Sequence, residues 1–234
     1  MEPLIEVRKL RFSYPDGVEA LRGVDFRLNP GETVALLGAN GSGKTTFLLC
    51  LVGLLRGEGE ITVCGQRLEK SSLPHVRRKI GVMFQDSDDQ LFMPTVGEDV
   101  AFGPLNMDMP TVEVERRVSE ALARVRMEDV RERAPHHLSA GQKRRVALAG
   151  ILAMDPEIIL LDEPATFLDP PSRRDLVDIL RGLHHAQILV THDLDLARDL
   201  THRAIFFEAG QVAAEGSVDD LAKRFCWSVG PIPP

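Results

Sequence analysis

Gly38-Ala39-Asn40-Gly41-Ser42-Gly43-Lys44-Thr45 stands between two apolar runs, Thr33 to Leu37 and Thr46 to Leu55. The first run reads as a short buried strand and the second as a helix, so these residues make a strand-to-helix turn. Gly38, Gly41 and Gly43 let successive backbone N–H groups turn inward onto phosphate oxygens. The positive end of the following helix adds to that attraction. Lys44 supplies a charge for β- and γ-phosphates, and the Thr45 hydroxyl can ligate Mg²⁺. This is the P-loop pattern in the context it requires. A glycine-rich turn that binds nothing is the bland alternative, and the flanking strand and helix argue against it.

Further along, Ile158-Ile159-Leu160-Leu161 reads as a buried parallel strand that delivers Asp162 and Glu163 to its carboxyl end, where ligands sit in open α/β sheets. Two adjacent acids leave a buried strand at a cost unless they have partners or a task. Asp162 suits Mg²⁺ and Glu163 suits activation of a water, a role worth about 10²–10⁴ in rate. Taken alone, the pair leaves a solvated strand end as the bland alternative. Ile188-Leu189-Val190 reads as a second buried strand.

The N-terminal third alternates. Ile5, Val7, Leu10, Phe12 and Tyr14 interleave with charged residues, as do Val24, Phe26 and Leu28, and Glu60 to Leu68 alternates again. An antiparallel sheet beside a buried parallel one follows from these patterns. Tyr14-Pro15-Asp16-Gly17 makes a turn. Val118, Ala121, Leu122 and Val125 keep helical spacing, a helix runs from Gln142 to about Ala153, and residues 86–153 contain no evident strand. Arg203 to Ala214 reads as a hairpin turning at Ala209-Gly210, with Ser217 capping a last short helix. The tail from about residue 227 reads as loose.

The chain has 234 residues, enough for one compact domain, and a formal net charge of -7. That balance argues against broad nucleic-acid binding, which needs a basic face. No apolar run reaches the roughly 20 residues that span a bilayer. Met1 to Lys9 reads as charged and strand-like, not as a secretory leader. Cys50, Cys64 and Cys226 lack metal-ligand spacing and fit a reducing cytosol.

Leu138-Ser139-Ala140-Gly141-Gln142 precedes the helix that leads into the Asp162 strand. By itself Ser-x-x-Gln is only a capping box. Standing after a P-loop and before Asp162-Glu163, it resembles the signature of the ABC ATPases. The other motifs fall in that family's order. The resemblance makes Tyr14 the aromatic that stacks on adenine and Gln85 the Q-loop glutamine that touches Mg²⁺ and senses a membrane partner. Asp169, after Leu168, becomes the D-loop acid, and His192 the switch histidine at the γ-phosphate. It places Thr46 among the ATP-binding residues beside the loop, and it sets Ser139, Gly141 and Gln142 over the ATP held by another subunit. It implies an α/β fold: a P-loop NTPase core with a mixed, largely parallel sheet, an antiparallel β subdomain, and a helical subdomain inserted at about 86–153 of a single domain, 1–234. It also implies an ATPase using ATP and Mg²⁺, paired with an identical or paralogous second ATPase.

Gln85-Asp86-Ser87-Asp88-Asp89-Gln90-Leu91-Phe92, Val100-Ala101-Phe102-Gly103-Pro104-Leu105-Asn106 and Gly141-Gln142-Lys143-Arg144-Arg145-Val146-Ala147 resemble the ATPases of cobalt/nickel and energy-coupling-factor importers. This likeness covers nearly the whole chain. It implies a transmembrane coupling protein, a substrate-specific membrane component, no nucleic acid, and a peripheral place on the cytoplasmic face of the membrane. Asp86, Asp88, Asp89, Glu98 and Asp99 are then acids that could pair with arginines of a coupling helix; charge reversal at Asp88 and Asp89 is expected to uncouple transport and spare ATPase activity. Another ABC transporter class, or an ABC protein acting on DNA or ribosomes, are the rivals; one P-loop and no heptad tract disfavour the latter. Ala140 stands where most relatives have glycine, and Phe167 where they usually have a small residue.

Overall fold

The computed structural model describes residues 2–86, 90–201 and 203–227. Along the chain the elements are β1 Ile5–Ser13, β2 Glu19–Leu28, β3 Thr33–Leu37, α1 Lys44–Leu51, β4 Glu58–Val63, β5 Gln66–Arg67, α2 Leu73–Lys79 and β6 Ile80–Met83. There follow α3 Val96–Asn106, α4 Thr111–Arg124, α5 Ala140–Ala153, β7 Ile158–Asp162 and α6 Pro170–Arg181. The last five are β8 Ala186–Val190, α7 Leu194–Leu200, β9 Arg203–Glu208, β10 Gln211–Gly216 and α8 Val218–Arg224. They gather into two compact units: one is built from the chain up to Arg77 and again from His185, the other from Arg78–His184.

The first unit holds an antiparallel sheet in the order β2-β1-β4-β5. Its apolar alternation slips between Val7 and Leu10, and the structure gives the reason. The register shifts there against both β2 and β4, at Lys9, which takes φ 50. This bulge keeps Ile5, Val7 and Leu10 all on the buried face despite their uneven spacing. Glu60 to Leu68, expected as one alternating run, is instead a hairpin: Cys64 and Gly65 both take positive φ and turn β4 into β5.

In the same unit β3 lies parallel to β8 on one side and to β9 on the other, with Leu36 opposite Val190 and Ile205. β8 is buried throughout and β3 from Val34 onward, which is why both read as unbroken apolar runs. The β9–β10 hairpin turns at Ala209-Gly210, both at positive φ, where the sequence places it. Phe47 of α1 packs against Phe26 and Phe207, with ring centroids 5.3 and 5.5 Å away. Helix α1 is shorter than its apolar run, since Gly53 takes φ 64 and turns the chain just after it. A separate cluster packs α7 and α8 onto Ala35, Leu37, Ala204 and Phe206.

In the second unit β6 and β7 pair in parallel, Ile80 opposite Ile158 and Met83 opposite Leu161. α3, α4 and α5 occupy the helical stretch the sequence anticipated, and the unit also takes in both strands and α6. Helix α4 buries Val114, Val118, Ala121 and Leu122 and turns a Glu113–Arg116–Glu120 ion-pair ladder outward. Helix α5 is buried around most of its circumference, so it is the centre of this unit. Close approaches fix its position: a Cβ on Gly81 would meet Ile151 Cγ2 at 2.2 Å, and one on Gly103 would meet Met154 at 2.6 Å.

Candidate active site

In the first unit β3 ends at Leu37, and the chain turns through Gly38–Gly43 into α1. Gly38 takes φ 135, and a Cβ there would sit 2.2 Å from the Phe207 carbonyl oxygen. Gly43 takes φ 106, and a Cβ would meet the Ala20 carbonyl oxygen at 2.6 Å. Glycine at these two positions is therefore a steric requirement of the loop. Gly41 also has positive φ, but its α-carbon faces open space, with nothing within 4 Å of a would-be Cβ.

Lys44 is 7% exposed, and its ammonium donates to the carbonyl oxygens of Gly38 (2.7 Å) and Ala39 (2.9 Å) and to Ser42 Oγ (3.4 Å). The cation thus lies inside the curl of the loop. Gly43 caps α1 without a side-chain acceptor, and the first turn carries no acidic residue. A helix start with no anionic group of its own, a curled loop and a buried cation fit a polyphosphate supplied from outside. Asn40 and Thr45 are exposed, whereas Ser42 and Thr46 are buried. Tyr14 follows β1, sits edge-on to Phe12, and its hydroxyl shares a 3.0 Å hydrogen bond with Thr46 Oγ1. That bond ties the Tyr14 ring to the helix that opens at the loop. His192 is exposed two residues beyond Val190 of β8, level with Gly38, which lies two beyond Leu36 in the paired strand. Asp193, capping α7 through the Leu196 N–H, holds the chain just after it.

In the second unit Asp162 and Glu163 are 5% and 8% exposed, at the end of the fully buried β7. Glu163 takes φ 49, uncommon for a residue with a Cβ, and its Oε2 accepts a 3.1 Å hydrogen bond from Thr166 Oγ1. Gln85 is exposed just past β6. Asp169 is the N-cap residue of α6, with Pro170 and Pro171 opening the helix. The capping box is complete: Ser139 Oγ accepts from the Gln142 N–H at 3.3 Å, and Gln142 Oε1 accepts from the Ser139 N–H at 3.0 Å. Ser139 and Ala140 are exposed, so the positive end of α5 points to solvent. Gly141 is needed for packing, because a Cβ would meet Ser172 Oγ at 2.5 Å. Asp162, Gln85 and Thr45 are hard oxygen donors of the kind Mg²⁺ takes. Among the described residues no group of three or more His, Cys, Asp or Glu forms a metal cluster.

Three residues whose roles sequence reasoning missed shape this half. Arg144 of α5, 6% exposed, donates to the Phe84 carbonyl at 2.9 Å, and so ties the signature helix to the segment that carries Gln85. Gln90 clamps the same segment by accepting from the Phe84 N–H (3.0 Å) and donating to the Val82 carbonyl (2.9 Å). Thr166 is the third. Arg144 and Gln90 stood only as unassigned polar residues within the quoted stretches, and Thr166 carried no signal of its own. One expected surface acid is corrected. Asp99 is buried, its Oδ1 accepts from the Phe92 and Met93 N–H groups at 3.0 Å each, and burial raises its pKa. Glu98 stays exposed while its carboxylate completes the Thr95 capping box. Asp88 and Asp89 lie outside the described residues. Phe167 takes φ 65 and is 91% exposed.

Comparison with known proteins agrees with this geometry. The ABC transporter family profile matches residues 21–166. The energy-coupling factor transporter ATP-binding protein EcfA of Methanothermobacter thermautotrophicus is 48% identical over 220 residues, covering 92% of this chain and 71% of EcfA. The solved structure of CbiO1 from Clostridium perfringens, part of the ABC transporter complex CbiONQ, superposes with a TM-score of 0.87 at 34% identity, covering 96% and 92% of the two chains. The ATP-binding cassette MJ0796, solved as a dimer bound to ADP and Pi, gives 0.81 at 31% identity over 92% and 98%.

The chain belongs to the ABC transporter family. It is an ATP-binding, ATP-hydrolysing subunit, with the mixed α/β fold of the P-loop NTPases. Among the described residues no helix is long and apolar enough to cross a membrane.

Proposed function

We propose that this chain powers import through a membrane transporter of the cobalt or energy-coupling-factor kind, working as one of a pair of ATPases on the cytoplasmic face of the membrane. The observation that carries the pairing is the outward-facing start of α5. Ser139 and Gln142 satisfy each other and leave a positive helix end, exposed at Ser139 and Ala140, for an anion held elsewhere. The likeness to CbiO1 and to the dimeric MJ0796 supports the branch and the pairing.

In this reading Gly38, Asn40, Gly41, Ser42, Gly43 and Lys44 cradle the phosphates, and Tyr14 and Thr46 border the base and loop. Thr45, Gln85 and Asp162 hold Mg²⁺, which neutralises phosphate charge when bound. Glu163 orients and deprotonates the attacking water, and His192 contacts the γ-phosphate. Ser139, Gly141, Gln142 and Asp169 face the partner's nucleotide. Phe84, Phe92, Phe102 and Leu105 are exposed apolar side chains of the Arg78–His184 unit, near the Gln85 segment and along α3, and suit a helix of a membrane coupling protein.

Glu163→Gln tests this reading: the variant binds ATP, stops turnover and accumulates as an ATP-dependent pair of ATPases on size exclusion. Turnover at the parent rate removes Glu163 from its role. A variant that binds ATP yet never pairs, in the presence of copurifying membrane subunits, removes the shared-site arrangement.

A further inference from the structure

Glu163 leaves β7 in a left-handed backbone conformation and is followed by proline, which further restricts it. A non-glycine residue holds that conformation only where its surroundings over-determine it. Here the chain returns on itself within three residues. The Thr166 N–H donates to the Glu163 carbonyl at 3.3 Å, and the Thr166 hydroxyl donates to Glu163 Oε2 at 3.1 Å. Backbone and carboxylate of Glu163 are therefore both held by the same residue, at a site only 8% exposed.

We propose that Thr166 is a positioning residue for ATP hydrolysis, acting through Glu163. A glutamate has three rotatable side-chain bonds, and fixing such a chain costs up to about 2 kcal/mol of rotamer freedom. The hydroxyl bond offsets that cost before substrate arrives. It also holds one carboxylate oxygen, Oε2, in place, so one geometry is selected. Threonine suits the task because its branched Cβ restricts its own χ1. The proposal rests on the assignment of Glu163 as the group that activates water.

The test is steady-state hydrolysis by the full chain, in the assembly with which it copurifies, for Thr166→Val, Thr166→Ser, Glu163→Gln and the Glu163→Gln/Thr166→Val double variant. Valine keeps the shape and the backbone bond but removes the donor. Thr166→Val is expected to lower kcat about 10- to 100-fold, the worth of one hydrogen bond to a charged group, with KM for ATP changed less than twofold. Thr166→Ser restores most of the rate, and in the Glu163→Gln background the valine costs nothing further. Three outcomes overturn the proposal: Thr166→Val at the parent rate while Glu163→Gln is inactive, serine failing to rescue with a lowered melting temperature, or a rise in KM without a fall in kcat. Glu163→Gln turning over at the parent rate removes the assignment beneath the proposal as well, and so is told apart from the other three.

Discussion

Replacing Gly141 by alanine separates two influences that usually run together. Alanine is the better helix former by about 1 kcal/mol in a helix interior, so the substitution near the start of α5 would stabilise the chain if space allowed. Space does not allow it. The new methyl would lie 2.5 Å from Ser172 Oγ and 2.6 Å from Ser172 Cβ, against the 3.4 Å at which ordinary contact begins, so α5 and α6 must part by about 0.9 Å (3.4 less 2.5). Rotating the Ser172 hydroxyl relieves the first contact but not the second. Overpacking of this kind costs roughly 1–3 kcal/mol. The net expectation for Gly141→Ala is a loss of up to about 2 kcal/mol, or up to roughly 8 °C in Tm at 2–4 °C per kcal/mol for a chain of this length. In a Ser172→Gly background both clashing atoms are gone and the same substitution becomes stabilising. Thermal and urea unfolding of the four proteins measure the sign change directly. A rise in Tm on Gly141→Ala in both backgrounds refutes the close approach of the two helices.

Two further outcomes follow from buried ionisable groups. The Asp99 carboxylate is raised in pKa by burial, and its Oδ2 is buried with no hydrogen-bond partner among the described residues. Its folded state prefers the protonated form, so its contribution to stability is full below the ordinary aspartate pKa of about 3.9 and is lost as pH rises through the raised value. Asp99→Asn, which cannot ionise, should therefore gain stability relative to the parent between pH 4 and 7 in urea titrations; a difference flat with pH rules this out. The Cys50 thiol is buried, and burial pushes its pKa up to about 12, so in a Cys64→Ser/Cys226→Ser background a thiol reagent at pH 8 should label nothing until the chain unfolds. Labelling at the rate of a free thiol in the folded protein overturns it.

Much of this fold was legible because its signals are local. A continuous apolar run followed by the glycine-rich turn fixed β3 and α1, Ala209-Gly210 fixed the last hairpin, and Ser139 with Gln142 fixed the start of α5. The bulge at Lys9 showed only as an uneven alternation, since its cause is pairing with β2 and β4 together. In the Arg78–His184 unit the motif residues were readable and their supports were not. Arg144 reaches back 60 positions to Phe84, and nothing in the spacing of either announces that bond. Asp99 looked like one more acid in a charged stretch, yet it turns inward to accept two backbone N–H groups, a choice made by the path of residues 92 and 93. Thr166 acts through a turn whose left-handed Glu163 no propensity favours.

The strand that leads into the phosphate loop pairs with β8 and β9, and both lie about 150 residues later in the chain. The loop is also braced from behind by the final hairpin, where the Gly210 N–H donates to the Ser42 carbonyl and the Phe207 carbonyl closes over Gly38. During synthesis the motif therefore emerges from the ribosome long before β8, β9 and the hairpin that braces it. At about 5–20 residues per second the delay is on the order of ten seconds. A nascent chain truncated before β8 carries every phosphate-binding residue of the loop but lacks the flanking strands and the hairpin that brace it, so competence to hold nucleotide waits for β8 to β10.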